Sequence, residues 1–117
     1  MTEATERTAK LVLGEIARAR QYSTLPAPHE LFLSCETLVS ALASLIGPKM
    51  DAETAYRTDV VTFKAQEGSV AAAEALAKAG KNYADWKKLE MVYELAEHQI
   101  NLVKKFKDEL QAEKYRS

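Results

Sequence analysis

An all-α fold is the class this sequence predicts, and three observations carry it. Apolar residues recur at steps of three and four through every long segment. Only four glycines and three prolines are available for turns in 117 residues. Ala, Leu, Glu and Lys, all strong helix formers, are abundant between them. The predicted architecture is an elongated antiparallel helical hairpin or an irregular four-helix bundle with an extra N-terminal helix. One helical domain of residues 1–117 suits a chain of this length, which is enough to bury roughly two thirds of its unfolded surface.

The most regular stretch runs from Ser69 to Tyr115. Leu76, Ala79, Tyr83, Trp86, Leu89, Tyr93, Ala96, Ile100, Val103, Phe106 and Leu110 lie on one helix face, with Val92, Leu95, Gln99 and Leu102 in a row beside them. The face from Leu89 to Leu110 is wide enough to be packed from two sides, which predicts self-association. Ser69, after Gly68, is placed to cap the first free amides, and Glu74 favours the positive end of the helix dipole. Unbroken, the helix would measure about 70 Å. It therefore forms one arm of a long hairpin or breaks near Gly80.

Residues 4–22 read as a first helix whose apolar face holds Ala9, Val12, Leu13, Ile16, Ala17 and Ala19. Residues 23–28, STLPAP, form a linker, because proline lacks an amide donor and pushes the residue before it out of helical geometry. Residues 29–115 make the hairpin or bundle. Within them, Leu31, Cys35, Leu38, Leu42 and Leu45 mark a helix over 29–46, with Phe32, Val39 and Ile46 beside them, and this is the most apolar segment of the chain. Gly47-Pro48 predicts a tight turn or sharp bend. Asp51 then suits an N-cap, and Ala52, Tyr56, Val60 and Phe63 mark the buried side of a helix reaching Glu67. The Ala-rich run VAAAEALAKA has side chains small enough for close helix contact.

The net charge of −1 divides as +1 over residues 1–28, −3 over 29–68 and +1 over 69–117. No segment is basic enough to hold duplex DNA or a membrane by bulk charge. No stretch of about 18 uncharged apolar residues is present, and LVLGEIARA is too short and too interrupted by charge for a signal-peptide core. A cytoplasmic location without membrane contact is expected. Cys35, the single cysteine, excludes an internal disulfide and is expected in the core.

Chemistry-bearing patterns are sparse. Glu94 and His98 share a helix face but supply only two ligands, and neither a His-Glu-x-x-His nor a second Glu-x-x-His pair accompanies them. His29 suits a helix start. Cys35 sits on an apolar face without a basic neighbour in sequence, and Gly68-Ser69 lacks the remaining residues of a phosphate loop. No catalytic residue, metal site or cofactor is therefore expected, and no enzyme.

One constellation remains. In KAGKNYADWKK, Lys78, Lys81, Lys87 and Lys88 surround Tyr83 and Trp86, which supplies cations for phosphates and rings for bases. Lys104, Lys105 and Lys107 form a second basic cluster that begins 16 residues past Lys88, about 24 Å along a straight helix. Tyr83 and Trp86 also belong to the periodic apolar face, which makes core packing their competing role.

Tyr56-Arg57, GSVAAAEALAKA, Tyr83, Trp86-Lys87-Lys88 and the closing INLVKKFKDEL together resemble small all-helical proteins of bacteriophages and prophages. Within that group the chain is similar to recombination mediators of the UvsY type over residues 50–112. The resemblance implies a non-enzymatic, oligomeric accessory protein that binds single-stranded DNA or a recombination partner. It further implies that Lys81, Lys87 and Lys88 meet the DNA backbone and that Trp86 lies near it or holds the hairpin. The near-neutral charge and acidic middle segment depart from such mediators. The alternative reading is a protein-interaction module, an adaptor or inhibitor acting through a helix face without nucleic acid.

Overall fold

The computed structural model describes residues 1–22 and 28–116, and among these the secondary structure is four α-helices with no strand. They are α1 (Glu3–Tyr22), α2 (Pro28–Glu67), α3 (Val70–Lys78) and α4 (Lys81–Arg116). Residues 23–27 of the expected linker lie outside the described residues. Pro28 opens α2, where a missing N–H costs nothing because the first amides of a helix are unpaired anyway.

Helices α2 and α4 form the antiparallel hairpin. Tyr56 meets Tyr83 and Trp86, Lys49 lies over the Tyr93 ring and Lys107 lies over Phe32, so partners on α4 advance as those on α2 recede. The molecule is accordingly long and thin, 68 × 29 × 21 Å. Helix α1 lies against both arms and makes the middle of the molecule a three-helix bundle. Its core holds Val12 and Ile16 from α1, Leu38 and Leu45 from α2, and Leu89 and Val92 from α4. The face of α4 is packed from two sides over Leu89–Val103, but Leu102, expected in its second row, is exposed because α1 and α2 do not reach that side of the helix. Both packing partners belong to the same chain, so the width of that face does not itself call for a second copy.

The expected turn at Gly47-Pro48 does not occur: α2 runs through it as one helix of 40 residues. Asp51 is therefore not an N-cap but an exposed mid-helix residue. Pro48 leaves the Ser44 carbonyl without its amide donor, and a proline inside a helix costs about 3 kcal/mol. Ser44 and Gly47 are exposed, which lets water satisfy that carbonyl. Continuity also keeps Leu38, Leu42, Leu45 and Tyr56 on one buried face, and a turn would divide it. The length has a further consequence. No uncharged apolar stretch spans a bilayer, yet the joined helix His29–Glu67 is long and apolar enough, by length and composition, to cross a membrane.

Gly68-Ser69 folds the chain back on α2, a point at which the sequence left a reversal or a straight continuation open. Gly68 adopts φ 73°, a left-handed value that glycine tolerates best, and donates its N–H to the Lys64 carbonyl at 2.9 Å. Ser69 caps α3, its hydroxyl accepting from the Ala72 amide at 3.3 Å. Helix α3 packs on α2 through Ala73 and Ala77, whose small side chains permit the close approach. The final segment breaks at Ala79-Gly80, where the Ala79 and Gly80 amides bond to the Leu76 and Ala77 carbonyls at 3.2 and 3.0 Å. The break moves α3 off the line of α4, so Leu76 and Ala79, expected on the buried face, are exposed.

Because Pro48 lies inside a continuous helix, Pro48→Ala restores an amide to the ladder. It should raise stability by up to about 3 kcal/mol, read as a higher urea midpoint at unchanged slope. A reversal at 47–48 predicts no gain. Leu45→Ala, at a fully buried position, should cost about 2–5 kcal/mol in the same assay.

Candidate nucleic-acid interface

The residues proposed for nucleic-acid contact stand at two ends of the hairpin. Lys78 ends α3 and Lys81 begins α4, so the α3–α4 break brings them close, and both are exposed. Lys88 is exposed seven residues after Lys81, two helical turns along nearly the same face. Lys104, Lys105 and Lys107 are also exposed, but far down α4, where Lys107 lies 6.0 Å from the Phe32 ring centroid. The fold leaves the two lysine groups separate.

Trp86 already has partners. Tyr56 stacks on it with centroids 5.3 Å apart and planes at 23°, Tyr83 meets it edge-on at 6.1 Å, and Tyr56 and Tyr83 are themselves 5.1 Å apart. The Lys87 ammonium sits 4.3 Å from the Trp86 centroid and 5.8 Å from that of Tyr83. Lys87 also pairs with Glu90 at 3.2 Å, and that hydrogen bond holds its pKa above the ordinary lysine value. Lys87 and the indole are thus engaged inside the chain. Tyr83 and Trp86 are half-buried rather than fully enclosed, and the Trp86 Nε1–H is buried without an acceptor. Beside the cluster, Asn82 donates to Asp59 at 2.9 Å and fixes the register of α2 on α4.

Among the described residues, no group of three or more His, Cys, Asp or Glu side chains is placed to hold a metal ion. Glu94 and His98 are both exposed. Ser34 is buried and donates to Glu15 at 2.9 Å, while Arg18 donates to both oxygens of the same carboxylate at 2.7 and 2.8 Å. This network joins α1 to α2. A groove of about 510 Å³ at the start of α1 is lined by Thr2, Thr5, Pro48, Asp51, Asn82 and Asp85, among others.

Cys35 corrects an expectation. It is half-buried at the edge of the core rather than within it. Burial pushes its thiol pKa up, Lys104 pulls it back, Glu36 adds to the rise and Lys107 opposes it. The basic neighbours come from α4, so a local sequence pattern could not reveal them.

The face that local reading misplaced is on α2. Val39 and Ile46, expected beside the core, are 51% and 45% exposed, and Met50 is 61% exposed. With Ala43, also exposed, they form a row at steps of four, three and four. Apolarity on all sides of residues 31–48 was the sequence signal for it. Only 33% of the most apolar window of α2 is buried in the fold.

No protein-family model matches this chain, and neither a curated protein nor a solved structure matches it.

A raised pKa lowers the thiolate fraction at any pH below it. At pH 8, Cys35 should therefore alkylate more slowly in the native chain than in urea-unfolded chain. Replacing Lys104 and Lys107 by Ala should slow the native reaction further. A native rate equal to the unfolded rate contradicts the assignment.

Proposed function

We propose that the chain is a non-enzymatic protein-interaction module that receives an α-helix on the exposed face of α2. One observation carries this reading: Val39, Ala43, Ile46 and Met50 present an uncovered apolar row at the spacing used by packed helices. Exposed apolar surface of this kind, bordered by the charged Glu36 and Arg57, marks a docking surface. Its work is recognition rather than chemistry, because the buried polar groups support packing. A cytoplasmic location accompanies the proposal. The opposite face of α2 is packed by α1 and α4 and tied to α1 by Ser34 and Glu15, and a bilayer-spanning helix would give up those contacts.

The exposed Lys78, Lys81 and Lys88 at the α3–α4 break support a second reading, that of a phage-type accessory protein binding single-stranded DNA. In that reading Trp86 holds the hairpin, and Lys104, Lys105 and Lys107 contribute only when several chains line one strand.

Two measurements separate the readings. A photocrosslinking residue at Ile46, in the cells that make the protein, should give a discrete protein adduct that the same probe at Lys105 does not. Diffuse labelling at both positions, or adducts with lipid alone, contradicts the module. Fluorescence anisotropy with a labelled single-stranded oligonucleotide should stay flat at low salt. Salt-sensitive binding lost in a Lys81→Glu, Lys88→Glu chain makes the nucleic-acid reading the correct one.

A further inference from the structure

The two ends of α3 are built differently. At its start Gly68 takes a left-handed φ of 73° and Ser69 caps the helix, so the chain carries both signals that separate one helix from the next. At its end neither is present. Among the described residues Gly68 alone has a left-handed φ, and the C-cap Ala79 keeps right-handed helical angles of −80° and −8°. Gly80 precedes α4 without a side chain to cap it, and no acidic residue lies in the first turn of α4. Lys81 there sets a positive charge at the positive end of the helix dipole. No local signal separates α3 from α4.

The apolar pattern also runs straight across the joint. On one continuous helix Leu76, Ala79, Tyr83 and Trp86 fall in a stripe about 80° wide, whereas Ala73 and Ala77 lie about 120° round from its centre. In the fold it is the second pair that is fully buried, on α2, while Leu76 is 44% exposed. Side-chain size accounts for this. Two alanines let α3 approach α2 more closely than the rings of Tyr83 and Trp86 let α4 approach it, and the joint bends to take up the difference. Leucine at position 76 suits the wider spacing. Among the described residues α3 packs on α2, adjoins α4 and does not touch α1, which leaves it room to turn.

We infer that α3 is a two-position element. In the position of this structure it lies on α2 through Ala73 and Ala77, with Leu76 outward. In the other it turns by about 120°, brings Leu76 and Ala79 into the stripe of Tyr83 and Trp86, and joins α4 as one helix. Gly68 and Gly80 are the swivels, and the Ser69 cap travels with α3 because it is bonded within that helix. The turn exchanges the apolar side that this end of the molecule shows to solvent, so a ligand touching either side selects one position.

Gly80→Ala tests this directly, because alanine favours the uninterrupted helix. In a Cys35→Ser background, iodoacetamide should alkylate an Ala73→Cys thiol about fivefold faster when Gly80→Ala is added, the shift that the helix preference of alanine over glycine supplies. A Leu76→Cys thiol should react more slowly on the same change. An Ala96→Cys thiol, in the core, should not respond. In the Gly80→Ala chain without any cysteine change, the Asn82 and Tyr83 amides should gain protection from hydrogen exchange, because a continuous helix gives them the Lys78 and Ala79 carbonyls as acceptors. An unchanged Ala73→Cys rate overturns the inference, and so does acceleration shared with Ala96→Cys, which reports general loosening. Asn82 and Tyr83 amides that exchange as before overturn it even where a cysteine variant fails to fold.

Discussion

Everything in this molecule rests on an α2 helix that does not stop at Gly47-Pro48. A helix of 40 residues is about 60 Å long and supplies most of the 68 Å axis. Its first half carries α1 and the C-terminal half of α4, its middle meets the start of α4, and its end carries α3. Apolar packing along one face offsets the lost amide at Pro48, because Leu45 before it and Ala52 after it pack on one core. A break there would leave α4 with two unrelated partners instead of one straight arm.

Register along this arm is set where aromatic side chains and one amide–carboxylate bond meet. Tyr56 from α2 packs with Tyr83 and Trp86 from α4, and Asn82 to Asp59 fixes the same level with a directional bond. Aromatic pairs add specific geometry to their buried area, so a shift by one turn would separate three rings at once. This accounts for the double character of KNYADWKK. Its rings hold the hairpin together, Lys87 is drawn onto them and onto Glu90, and Lys81 and Lys88 are left at the surface.

A helix that is apolar all round is normally enclosed. Helix α2 is enclosed on the sides that face α1 and α4 and open on the side that carries Val39, Ile46 and Met50. Three helices around one core leave the outer face of each in solvent, and on α1 and α4 that face is rich in charge. On the middle of α2 it is not. The contrast between outer faces, rather than any pocket, is what supports the docking reading of α2.

Much of this was legible in the sequence by itself. The all-helical class, the antiparallel arms and the serine cap after Gly68 follow from three- and four-step apolar spacing and from backbone preference, which act within a few residues, whereas Gly68-Ser69 stayed open between a reversal and a straight run and Gly80 between a break and a continuous helix. Tertiary structure decided the rest. Pro48 stays inside a helix because distant leucines reward continuity more than one lost hydrogen bond costs. Leu76 turns outward because α3 packs on α2 through Ala73 and Ala77. Cys35 has basic neighbours because Lys104 and Lys107 arrive from the other arm, and Val39 and Ile46 are exposed because α1 and α4 cover only one side of their helix. In each case the deciding contact joins residues far apart in the chain, and its energy appears only after the helices have assembled.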